Sequence, residues 1–160
     1  MDLQQNPHFS PISAIFLSAW RLNFPEVFRR GGGCPMDSKL FNIQKVLWDL
    51  NIPPNYLGAH YLAYAAMLVL EDQNRLTMVT KWLYPEIAAR YHTSWQAVER
   101  NIRTVIGICW QQDSGSRLCQ ILGYPVTEKP SPTRFIQLLA RYLLAKPEDF
   151  WETPISSPKQ

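Results

Sequence analysis

TSWQAVERNIRTVIGICW, residues 93–110, holds two patterns that pull in different directions. At 3.6 residues per turn, Val98, Ile102, Val105, Ile106 and Cys109 fall on one face, with Trp95 just below them. That face asks for a helix packed on a core. Gln96, Arg100, Arg103 and Gly107 line the opposite face, flanked by Glu99 and Thr104. Thr93, followed three residues later by Gln96, fits a capping box, so the helix is expected to open here. The stretch before it offers Ile87, Ala88 and Tyr91 to the same core, and only His92 and Thr93 separate the two segments. Apolar–Ala–x–x–aromatic, a tight polar turn, then apolar residues four apart matches a helix-turn-helix over about 84–110. In that motif the second helix lies in the DNA major groove, with its N-terminal residues on base edges. The outward arginines then have a target. The plainer reading is that they are solvated surface charges, with Glu99 and Arg103 spaced to pair with each other.

Working outward, the flanking chain reads as helices throughout. SKLFNIQKVLWDLNI (38–52) places Leu40, Ile43, Val46, Leu47 and Leu50 on one side, with Ser38 as cap and Pro53-Pro54 as stop. Residues 57–74 form a second helix, apolar on most sides and therefore central. Pro85 fits only the first turn of the helix that follows. DSGS breaks the chain after residue 112, RLCQIL forms a short helix, and GYPVTEKPSP is a loop. Residues 135–145 close the fold with Phe135, Leu138, Leu139, Tyr142 and Leu143 on one face. No segment has the period of a strand, so the fold class is all-α, a compact bundle of about six helices.

The ends differ from this regular region. Residues 1–36 lack a sustained period and finish in RRGGGCP. They read either as a loosely attached arm or as an upstream-start artefact, with Met36 the true start and RRG the in-frame translation of a purine-rich ribosome-binding sequence. The domain is expected over 37–145, and residues 146–160, with three prolines and little to bury, as a flexible tail.

Composition narrows the chemistry. Of 160 residues, 46% are hydrophobic and 18% charged, which suits a folded domain with its own core. A net charge of +3 permits nucleic-acid binding without requiring it. The three cysteines, Cys34, Cys109 and Cys119, form no CxxC pair, and an odd count argues against a disulfide framework, so a cytoplasmic location is expected. The longest apolar run, residues 57–70, is too short to span a bilayer and contains His60, so no membrane partner is expected. His8, His60 and His92 have no ligand spacing with the cysteines; His60 reads as a core residue and His92 as a turn residue. GGGC lacks the lysine and hydroxyl that a phosphate-binding loop needs. Glu71-Asp72 and Glu148-Asp149 are sequence neighbours that do not face each other on a helix. Neither an enzyme nor a bound cofactor or metal is expected. Trp20 and Trp151 stand outside the regular region and are candidates for a contact surface.

LYPEIAARYHTSWQAVERNIRTVIGICW, together with IPPNYLGAHYL and LGYPVTEKPSPTRFI, resembles the DNA-binding effector domains of the stage-zero sporulation protein A family. The most specific pieces are TKWLYPEIA, VERNIR, ICW, LGY and KPS, in order and at matching separations over residues 43–144. The resemblance implies a bundle of about six helices that binds double-stranded DNA and regulates transcription in sporulation. It places Glu99, Arg100 and Arg103 on the DNA-facing side of the recognition helix. Ala97 stands where the family has a base-reading arginine, Trp95 and Gln96 replace small residues, and PTRF (132–135) replaces a more polar run. The expected DNA-binding set is therefore Trp95, Gln96, Ala97, Glu99, Arg100, Arg103 and Thr104, on a scaffold that is kept and a reading surface that has drifted. The family's receiver domain does not fit within residues 1–35, so a solitary effector domain is expected. The segment 111–126 matches a region near the family's polymerase-contacting surface. The RNA polymerase sigma subunit and a second copy on tandem sites are thus further expected partners. The competing function is a paralogue that binds a related regulator or the polymerase without reading DNA. The two diverge on whether Lys81, Arg90, Arg100, Arg103 and Lys129 gather on one face.

Overall fold

The computed structural model describes residues 38–123 and 125–151. Seven α-helices follow in order among them: α1 (Ser38–Asp49), α2 (Leu57–Glu71), α3 (Tyr84–Arg90), α4 (Trp95–Asp113), α5 (Ser116–Leu122), α6 (Pro132–Leu144) and α7 (Glu148–Trp151). A 3-10 turn (Gln73–Leu76) and a π turn (Val79–Leu83) link α2 to α3. The described residues contain no strand, and six of the helices have seven residues or more, so the all-α bundle stands.

The bundle is built around α2, which packs on α1, α3, α4 and α6. Its sequence explains why. Ala59, Ala63, Ala65 and Ala66 are buried on several sides, and small side chains let four neighbours approach one helix. The closest approach is at Gly58. A Cβ there would lie 2.2 Å from the Asn101 carbonyl oxygen and 2.9 Å from Val105 Cγ1. Only glycine permits this crossing of α2 over α4.

α2 ends at Glu71, three residues earlier than its apolar pattern suggests. Asp72 turns extended and its carboxylate accepts the Asn74 amide at 3.0 Å. This local side-chain bond outcompetes the helical one. α1 is described from Ser38 onward. α6 starts at Pro132, three residues before the expected boundary, because Ser131 Oγ accepts the Arg134 amide at 3.3 Å and Pro132 suits the first turn. α4 is stopped by Ser114 and Gly115, both left-handed, and the Gly115 backbone lies directly against the Trp110 ring, where a Cβ would clash at 2.2 Å.

The tail does not begin at Lys146. α7 forms beyond it, and Asn42 Nδ2 donates to the Phe150 carbonyl at 3.0 Å. Phe150 and Trp151 stack edge-on at 4.9 Å and pack against the core. Trp151 therefore contributes to the core rather than to a free contact surface, and the aromatic pair explains why order continues past Pro147. The expected arm over 1–36, Trp20 within it, and the tail from residue 152 lie outside the described residues.

Candidate nucleic-acid interface

The helical pair α3–α4 is closed by a turn whose hydrogen bonds can be followed residue by residue. The Tyr91 amide returns to the Ile87 carbonyl at 3.0 Å and the Thr93 amide to the Ala88 carbonyl at 2.9 Å. His92 between them takes φ 54, the left-handed position that ends a helix. The cap of α4 is Ser94, whose hydroxyl accepts the Ala97 amide at 3.2 Å. The expected Thr93–Gln96 box is not the device used. Thr93 falls one residue too early, and its hydroxyl bonds the Tyr61 phenol on α2 instead.

Tyr91 wedges the turn into the bundle. Its ring meets Tyr61 edge-on at 4.9 Å and Tyr64 at 6.0 Å, and its hydroxyl donates to the His60 carbonyl at 3.4 Å. Burial raises the Tyr91 phenol far above its ordinary range, so it stays a neutral donor. His60 is buried, with Nδ1 3.0 Å from Gln44 Nε2 and Nε2 2.7 Å from the Pro54 carbonyl oxygen. Both ring nitrogens are engaged, which makes His60 a structural core residue. Burial holds its pKa below the usual 6.5.

One side of α4 is sealed. Val98, Ile102, Val105, Ile106 and Cys109 are all buried. The Cys109 thiol, pushed up to about 11 by burial and then by the charge of Asp113, donates to the Leu50 carbonyl at 2.9 Å. It is thus a hydrogen-bonding core residue as well as a small apolar one. Asn101 Nδ2 donates to the Ala97 carbonyl at 2.7 Å, while its own carbonyl sits under Gly58. The helix is therefore held at a fixed position and rotation by α2.

Rotation fixes what faces outward. Gln96, Arg100, Arg103 and Thr104 are exposed, Trp95 is 37% exposed, and Ala97 and Glu99 are half-buried. Thr104 Oγ1 donates to the Arg100 carbonyl at 2.9 Å, so its hydroxyl proton is turned back on the helix. Arg103 pairs with Glu99, as their spacing allows. With the Arg103 side chain 61% exposed, such a pair contributes only about 0.3–0.5 kcal/mol. It is too weak to withhold Arg103 from a phosphate. Tyr84 lies near this pair; burial, followed by Glu99, pushes its phenol up to about 12 despite Arg103. Arg100 makes no side-chain hydrogen bond or ion pair among the described residues.

Two features were not legible in the helical pattern. Lys129, from the loop between α5 and α6, reaches over Gly107: a Cβ built at Gly107 would lie 3.4 Å from its Nζ. It therefore shares the stripe of Gln96, Arg100 and Arg103. Lys81 and Arg90 are exposed on the π turn and at the end of α3. Trp82, between them in sequence, is 59% exposed.

A family model described as sporulation initiation factor Spo0A C terminal matches residues 43–143, from within α1 to within α6. The chain belongs to this family. The matched region includes the whole α3–α4 pair and the loop that carries Lys129. At family level the domain is therefore a DNA-binding effector domain of sporulation initiation, acting in transcription regulation. The resemblance read from TKWLYPEIA, VERNIR and LGY is borne out, and with it the helical fold. No described helix is long and apolar enough to cross a membrane.

Proposed function

We propose that the protein is a sequence-specific transcription regulator that inserts α4, from Ser94 onward, into the DNA major groove. The observation that carries this is the state of Arg100. It is exposed and unpaired on the face opposite a fully buried apolar stripe, on a helix whose rotation α2 fixes. A guanidinium so presented suits the bidentate contact to guanine. Gln96 and Trp95 stand in the first turn beside it, and Ala97 offers only a methyl group. Arg103 and Thr104 follow one turn later, where Arg103 trades Glu99 for a phosphate. Glu99 then either orients Arg103 or accepts from a cytosine amine.

The exposed Trp82 and Met78 favour a second reading, in which the segment before α3 contacts a protein. The sigma subunit of RNA polymerase and a second copy on tandem DNA sites are the partners in view. If such contact is the whole function, the protein is an interaction paralogue that reads no DNA.

Selection from a random duplex pool decides between them. Enrichment of one short motif by the full chain is the expected result. Recovery of no motif, together with retention of the chain on polymerase or on a related regulator, would overturn the groove-reading proposal.

A further inference from the structure

Resting on α4 as the DNA-contacting helix, we infer that Lys129 is a DNA-phosphate contact supplied by a second element, the loop between α5 and α6. Gln96 and Gly107 are separated by eleven residues of α4, or about 16 Å of helix. The major groove is about 12 Å wide. A helix that puts Gln96 on base edges has reached the rim of the groove by Gly107. A cation held there meets the sugar-phosphate backbone rather than a base.

The local structure fits that task. Gly107 is an unfavourable residue for a helix interior, yet its bare backbone leaves the Lys129 ammonium lying against the helix surface, with Cε 3.9 Å from where a Cβ would stand. The loop is tied on both sides of Lys129. Upstream, the Val126 amide donates to Cys119 Sγ at 3.2 Å; downstream, Pro130 is buried and Ser131 caps α6. Holding the loop in place before binding lowers the ordering cost of the contact. Lys129 is exposed and forms no ion pair among the described residues, its sequence neighbour Glu128 included. Its charge is therefore available to a phosphate. A phosphate contact positions the protein without reading sequence, so Lys129 contributes to affinity and orientation while Arg100 contributes to choice of base.

The test measures affinity for mixed-sequence duplex DNA across a salt series, using the full chain. Lys129→Gln should lower the slope of log affinity against log salt by about 0.9, the loss of one neutralised phosphate. It should weaken mixed-sequence and selected duplexes by the same factor. Lys129→Arg should keep the wild-type slope. Lys39→Gln, which removes the same charge from the cleft between α1, α2, α6 and α7, should change nothing. An unchanged slope in Lys129→Gln overturns the inference, as does an equal fall in Lys39→Gln, which would show only a net-charge effect. Absence of duplex binding by the wild-type chain would remove this inference together with the groove reading. A fall in slope for Lys129→Gln, beside no effect of Arg100→Ala on either duplex, would retain the phosphate contact and reject the groove reading alone.

Discussion

Arg100 and Arg103 carry the same charge on neighbouring turns of α4, and their surroundings separate their roles. Arg103 has a carboxylate partner to exchange for a phosphate, whereas Arg100 has none to give up. Arg100→Ala is therefore expected to weaken specific binding by about 1–3 kcal/mol and to relax preference at one base pair, read by competition between the selected duplex and single-base variants. An equal loss on every duplex would make Arg100 a phosphate contact instead. Ala97→Arg tests the drifted reading surface. It should create a preference for guanine at one position of the family's target site, where the wild-type chain is expected to discriminate poorly. Equal tightening on all duplexes would mean the new side chain adds only charge. The outward placement of these residues was readable from 3.6-residue periodicity, because Val98, Ile102 and Val105 dictate which face is buried. Lys129 was readable only as one of five cations whose gathering on one face would favour DNA reading. Its contact with Gly107 joins residues twenty-two apart in sequence through a loop whose path no local period encodes.

Within the α3–α4 element, the deciding choices are made by adjacent hydroxyls. Thr93 and Ser94 are both good caps, and sequence spacing favoured Thr93 because Gln96 follows it. The fold gives Thr93 to Tyr61 on α2, which leaves Ser94 as the side chain that meets the free amides of α4. Ser94→Ala should therefore cost about 1 kcal/mol of stability in denaturant unfolding, through loss of the cap. Gln96→Ala, removing the other half of the supposed box, should leave stability within about 0.5 kcal/mol, as expected for an exposed side chain that supports no such feature. A larger loss from Gln96→Ala than from Ser94→Ala would restore the Thr93–Gln96 arrangement. A tertiary partner settled this choice, which is why the local pattern missed it. The early end of α2 is a similar case, since Asp72 bonds its own neighbour before apolar spacing runs out.

For the molecule as a whole, stability depends on a buried histidine held neutral at the centre of the fold. His60 bonds the Pro54 carbonyl and Gln44, and burial lowers its folded pKa below 6.5. The unfolded chain therefore binds the proton more readily. Above the unfolded value both states are neutral and the His60 contribution is complete. As pH falls below 6.5 the unfolded state gains a proton that the folded state refuses, and stability declines until the folded pKa is reached. Denaturant midpoints measured from neutral to mildly acidic pH should fall, and His60→Gln should flatten that dependence even if it lowers the midpoint throughout. An unchanged slope in His60→Gln would assign the acid sensitivity to other groups. At this scale the helical bundle and its central α2 were legible, because alanine and leucine saturate that segment. The α7 turn was not. Its anchor is a bond from Asn42 more than one hundred residues earlier, and prolines around it suggested only a tail.

The crossing at Gly58 has a consequence for redesign. The closest point in the mount of α4 is the Asn101 carbonyl under a glycine, beside Val105 Cγ1, and no outward side chain takes part in it. A library randomised at Gln96, Arg100 and Thr104 would vary what the helix reads without altering how it is held. Members of such a library should melt within a few degrees of the parent while differing widely in the duplexes they select. Gly58→Ala should do the reverse: it leaves every outward residue in place, yet shifts or loosens the helix and degrades discrimination at all base positions together. On the proposed reading, the outward residues of α4 can be exchanged to change what it binds, while Gly58, on another helix, has to stay fixed.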